Sequence, residues 1–261
     1  MDTFLYCYAD DVKDYWNTFD KRVDLTDYDP DTKSLKLMHH LYELYKEDKG
    51  NGCFLQGLIE SNENDLYIET VDIHLGCDSI ANLLNIDALL IDNNSRRTYC
   101  TLANTLGAKI IFPKNGKGCF SINNARNCKV VDRFDYTLEC IRRYYNGEES
   151  RLNDVFLLEK NKKFFNLFRN KDNDSGKDAF KNYVNFFFLN DLVSDDFEKV
   201  KFFINTDEDT ENRQKLINFE NSISKYPYKI EDWRELYKET MLFVIKRNLR
   251  IYNCINKSGN A

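Results

Sequence analysis

Between Ala108 and Val131 the chain carries Lys109, Lys114, Lys117, Arg126 and Lys129 and no acidic residue, although the formal net charge of the whole protein is -6. Cations collected in a chain that otherwise repels anions create a local positive field, and the chemistry such a field serves is recognition of a negatively charged ligand. Gly116, Lys117 and Gly118 lie between an apolar run, Lys109 to Phe112, closed by Pro113, and a helical pattern that opens at Ser121. A strand, a glycine-lysine connection and a helix N-terminus in that order cradle phosphate through backbone N–H groups and lysine charge. The P-loop pattern GxxxxGK[ST] is not met, because Gly118 and Cys119 follow Lys117, and that motif is rejected. A solvated turn kept soluble by its lysines is the plainer reading of the same residues.

A second group lies just beyond. Asp132, Asp135 and Glu139 stand at i, i+3 and i+7 of a helical pattern, and oxygen ligands at that spacing suit a divalent ion such as magnesium or manganese. Arg142 and Arg143 would hold a phosphate beside it, which describes a metal-dependent phosphodiesterase or nuclease. The competing reading pairs Glu139 with Arg142 and Arg143 at i+3 and i+4 on an ordinary exposed face. Asn248 interrupts the apolar stripe of the C-terminal helical pattern, Ile230, Trp233, Tyr237, Met241, Val244, Ile251 and Ile255. A buried amide needs partners, and with Arg247 and Arg250 beside it the position is expected to face a polar cavity that takes part in ligand binding.

Other residues carry less chemistry. His39, His40, His74 and Cys77 are zinc-ligand types, but nothing in the sequence brings the first pair to the second. The 8 cysteines are scattered without a CxxC pair and are expected to be reduced, mostly buried thiols. Phe164, Phe165 and Phe168, and Phe186 to Phe188, have spacings that suit core packing better than base stacking. The acidic balance argues against broad nucleic-acid binding, though not against a localised contact.

The elements that must position these groups follow from apolar periodicity. Strands are expected near 4–8, 53–59, 66–73, 109–112 and 200–204, with 53–59 and 66–73 forming a hairpin across the turn residues Ser61 to Asp65. Helices are expected at 34–46, 79–85, 95–106, 131–146, 151–168, 177–190, 209–224 and 230–256. In the helix over 131–146, Phe134, Leu138, Ile141 and Tyr145 share one side, and Gly147 supplies the C-terminal stop. Helix outweighs strand, no repeat or Pro-rich linker divides the chain, and the expected architecture is a single α+β domain over 1–261. It has a small, mainly antiparallel sheet from the first half and a helical second half, with a boundary near 150 as the alternative. Met1 to Asp11 lack the pattern of a secretory signal, and no apolar run approaches the roughly 18 residues of a membrane span. A cytoplasmic protein without a membrane partner is expected.

The run Ile110-Ile111-Phe112-Pro113, then Ile122-Asn123, Ala125-Arg126, Asp132-Arg133-Phe134-Asp135 and Thr137 to Arg143, resembles a family of small bacterial and phage proteins that carry a domain of unknown function. Asp29-Pro30-Asp31, Tyr183-Val184 with Phe186 to Leu189 and Asp191 to Val193, and Arg247-Asn248 with Arg250-Ile251 extend the resemblance over most of the chain. It implies a bacterial or phage origin and brings neither an activity nor catalytic residues. Relatives tend to show Arg-Gly where this chain has Arg126-Asn127; if that glycine permits close approach of a ligand to backbone, this member binds differently or not at all.

Three functions fit these readings. The leading one is a binding protein for a phosphorylated ligand, a nucleotide or nucleic-acid segment, held by Lys114, Lys117, Arg126, Arg142, Arg143 and Asn248. The others are a protein-interaction module acting in conflict between phage and host, which implies a protein partner, and the metal-dependent phosphodiesterase or nuclease built on Asp132, Asp135 and Glu139.

Overall fold

The computed structural model describes residues 67–73, 102, 105–114, 121–130, 133–169, 175–205 and 230–258. The expected strands at 4–8 and 53–59 and helices at 34–46, 79–85 and 209–224 lie outside the described residues, as does most of the helix at 95–106. Strands β1 (Tyr67–Asp72) and β2 (Lys109–Lys114) fall where the apolar pattern puts them. They pair antiparallel, with Tyr67 opposite Lys114 and Asp72 opposite Lys109. β2 runs through Pro113, which stands opposite Ile68 instead of ending the strand. Among the described residues the partner of β1 is thus a strand from far along the chain.

The remaining described chain is mainly helical: α1 (Ile122–Lys129), α2 (Phe134–Asn146), α3 (Asn153–Phe156), α4 (Glu159–Asn166), α5 (Gly176–Phe186) and α6 (Ile230–Ser258), with single 3₁₀ turns at Leu106–Ala108 and Asn190–Leu192. Local chemistry explains several boundaries. The Ser121 hydroxyl accepts the Asn124 N–H at the start of α1, and Ser175 accepts from Asp178 at the start of α5. Gly147 ends α2 at φ 73°, and Glu148 N–H reaches back to the Arg143 carbonyl at 2.8 Å, which closes the helix in the manner of a Schellman motif.

Three expectations need correction. The span 151–168 is two helices, because Leu158 turns extended at φ -57°, ψ 140°. The break lets Phe156 and Phe165 stack with centroids 4.9 Å apart, whereas nine residues of unbroken helix would separate their backbones by about 13 Å. At 200–204 no strand forms: Val200 makes a single bridge to Val193, and the Phe203 N–H goes to the Asp135 side chain. Finally, α2 is not half-exposed, since every residue from Phe134 to Ile141 is buried.

The core explains that burial. One apolar cluster runs from Val71 through β2, α1, α2, α4 and α5 to Phe243 on α6, so it takes side chains from both sides of position 150. Phe164, Phe165, Phe168 and Phe187 are buried in it, as their spacing suggested, and Phe186 and Phe188 pack against its edge. Tyr144, Tyr145, Phe156, Phe165, Phe168, Tyr183 and Phe187 form a chain of ring contacts at 4.9–6.1 Å, mostly edge-to-face or tilted.

Candidate functional site

The basic segment forms a strand, a connection and a helix. β2 supplies the strand, and α1 follows with Ser121 as its cap. The first turn of α1 holds no acidic residue, its N-terminal end is capped by Ser121, and its last turn holds Arg126 and Lys129. Lys109 and Arg126 point inward and are 2% and 0% exposed. Lys129 reaches outward to form an ion pair with Asp154. Lys114 is the last residue of β2, and Lys117 lies outside the described residues.

The start of β2 is held from the other end of the chain. The Arg247 guanidinium, fully buried on α6, donates to the carbonyls of Gly107 at 2.9 Å, Lys109 at 2.6 Å and Phe187 at 2.8 Å. The neighbouring Asn248 accepts the Gly107 N–H at 2.8 Å and donates to the Thr105 hydroxyl at 2.8 Å. A Cβ on Gly107 would sit 2.6 Å from both the Asn248 Cγ and the Val244 carbonyl oxygen, so only glycine permits this approach. The partners that Asn248 needs are therefore backbone and hydroxyl groups of the segment before β2. Sequence reasoning singled out Asn248 but not Thr105 or Gly107. Nothing local marks them, because their role arises from contact with residues 140 or so positions away.

The charged groups of α2 separate into two sets. Asp135, 0% exposed, takes the Arg133 guanidinium in a two-point contact at 3.1 and 2.5 Å. Its oxygens also accept the Tyr136 N–H at 3.0 Å and the Phe203 N–H at 3.0 Å. Arg133 lies over the Tyr136 ring at 4.2 Å, which completes a buried knot at the start of the helix. Asp132 lies outside the described residues.

Glu139 accepts Arg142 at 2.9 and 3.0 Å and forms an ion pair with Arg143 at 2.8 Å, and Glu148 accepts Arg142 at 3.0 and 2.9 Å. Two guanidinium groups and two carboxylates thus form a neutral, half-buried network, with the i+3 and i+4 pairing expected of Glu139. The Glu139 carboxylate raises the Arg142 pKa above its ordinary value, and the hydrogen bond from Arg142 holds Glu148 below its own. The carboxylates of Asp135 and Glu139 face guanidinium groups, and among the described residues no cluster of three or more His, Cys, Asp or Glu gathers as metal ligands would. Burial pushes the Cys140 thiol up to about 12, which suits a packing role, while Cys128 is exposed.

A family model matches residues 15–251 and describes a family of unknown function, DUF6994. The chain belongs to this family. The span shared with DUF6994 contains the whole basic segment, α2 and the Arg247-Asn248 pair, including the residues from Ile110 to Arg143 that carry the resemblance seen in the sequence. No curated protein and no solved structure matches the chain. Among the described residues of this DUF6994 member, no helix is long and apolar enough to cross a membrane.

Proposed function

We propose that the chain binds a phosphorylated ligand, a nucleotide or a nucleic-acid segment, at the strand, connection and helix from Lys109 to Lys129. The observation that carries this reading is a segment with five cations and not a single carboxylate in a chain of net charge -6. The first turn of α1 supports it, because a helix start that carries no acidic residue favours an anion, although Ser121 already takes the Asn124 N–H there. Lys114 and Lys117 are the contact residues, and Arg126 adds charge from the interior. Arg142 and Arg143 contribute less than their charge suggests, since Glu139 and Glu148 already balance them. That balance, and the engagement of Asp135 by Arg133, is why binding is preferred to metal-dependent phosphodiester cleavage. We also read β1 and β2 as part of a small antiparallel sheet in a single α+β domain of a cytoplasmic protein.

The test is titration of ATP and of a single-stranded oligonucleotide into the wild type and the Lys114→Glu, Lys117→Glu double variant at several salt concentrations. The double variant is expected to bind at least about ten-fold more weakly, with the salt slope for the oligonucleotide reduced by about 1 per lost phosphate contact. Equal affinity of the two proteins for both probes, or no binding of either probe to the wild type, rejects the reading.

A further inference from the structure

Two adjacent side chains of α6 grip one five-residue stretch of backbone, Thr105 to Lys109, that leads into β2. Arg247 takes the carbonyls of Gly107 and Lys109, and Asn248 takes the Gly107 N–H and the Thr105 hydroxyl. Neighbours on a helix point about 100° apart, so both reach one target only because the 3₁₀ turn at Leu106–Ala108 wraps against the helix surface. The missing side chain of Gly107 allows contact at that distance. The neighbouring Ala108 carbonyl accepts the Ile73 N–H at 2.8 Å, which ties the same turn to the end of β1. Guanidinium, amide and glycine therefore converge on the position of the first residue of β2, which the guanidinium also ties to the Phe187 carbonyl at the end of α5.

We infer that Arg247 and Asn248 are positioning residues for the anion site, acting on the ligand through the backbone of β2 and not by touching it; this rests on the reading proposed above. A paired strand is stiff along its length, so fixing the Lys109 carbonyl also sets the backbone position of Lys114, five residues and about 17 Å further on. Asn248 then drops out of the set of ligand contacts, because its amide oxygen and nitrogen are engaged by Gly107 and Thr105.

The experiment titrates inorganic tripolyphosphate into the full chain by calorimetry and follows amide hydrogen exchange of Lys109–Lys114 and of α2. The proteins are the wild type, Arg247→Lys, Asn248→Leu, Thr105→Val and Thr105→Ser. Arg247→Lys and Asn248→Leu are expected to bind roughly ten-fold more weakly per folded molecule, as when one buried hydrogen bond is left unmade. Exchange should quicken in β2 while α2 keeps its protection. Thr105→Val, the mildest change, keeps the assay informative if the others do not fold. It should weaken binding by a few-fold, and Thr105→Ser, which keeps the hydroxyl, should restore it. Variants whose β2 amides exchange faster yet bind tripolyphosphate as the wild type does would show a purely structural clamp, and unchanged β2 exchange would deny the clamp itself. Both outcomes overturn the inference and leave the proposed function standing. A wild type that does not bind tripolyphosphate removes the two together.

Discussion

At the scale of single residues, the charges of α2 show how the same side chains change meaning with burial. Asp135 could be read as a metal ligand from its spacing, yet its oxygens hold the Arg133 guanidinium and two backbone N–H groups from separate parts of the chain. Removing it takes the carboxylate from a buried guanidinium and the acceptor from the Phe203 N–H. Asp135→Ala is therefore expected to cost about 3–5 kcal/mol of stability, the range for breaking one side of a buried ion pair. Asp135→Asn should cost less, because an amide oxygen still accepts one of the bonds. Chemical denaturation of the three proteins checks the order, and a loss below about 1 kcal/mol for Asp135→Ala would show that the knot is not formed.

At the scale of elements, two glycines bracket the packing of α2 against α5 and predict different penalties for the same substitution. Gly147 closes α2 in the left-handed region, and nothing lies within 4 Å of where its Cβ would sit. Gly147→Ala should therefore cost only the backbone term, roughly 1 kcal/mol. Gly176, at the start of α5, would place a Cβ 2.0 Å from the Tyr145 carbonyl oxygen, so Gly176→Ala must push the two helices apart. It is expected to be the more damaging change in thermal unfolding, and equal shifts in melting temperature would contradict the helix contact. The stop at Gly147 and the caps at Ser121 and Ser175 depend on a few consecutive residues, and the first two were legible as such. The break at Leu158 was not, because it is driven by Phe156 and Phe165 seeking the same ring cluster.

At the scale of the whole molecule, an ion pair joins elements distant in sequence, and together with a local pair at the end of α2 it makes stability depend on acid. Arg250 holds Asp191 in a two-point contact at 2.8 and 2.9 Å, tying α6 to the 3₁₀ turn after α5. Hydrogen bonds from Arg250 and Arg142 depress the pKa values of Asp191 and Glu148 below their ordinary values of 3.8 and 4.5. A carboxylate with a depressed folded-state pKa adds stability that is present above its unfolded value and disappears as pH falls through the folded one. Unfolding free energy should hence decline on acidification from about pH 5, and Asp191→Asn with Glu148→Gln should flatten that decline in a pH series of denaturation curves. A double variant with the wild-type acid slope would mean that the pairs contribute nothing in solution.

The sequence by itself determined the features that a short window of chain can encode: the positions of β1 and β2, the core of α2 with its glycine stop, the Ser121 start of α1, the aromatic residues destined for the interior, and the segregated charge that supports the proposed ligand. Only the tertiary structure decided which strand β1 pairs with, that the charged side of α2 is covered, that Glu148 joins Glu139 in holding Arg142 and Arg143, and that Asn248 grips Thr105 and Gly107. The difference has one cause. Capping, turn geometry and periodicity act between residues a few positions apart, whereas burial and ion pairing depend on which surfaces meet after long loops close, and no local pattern records that choice.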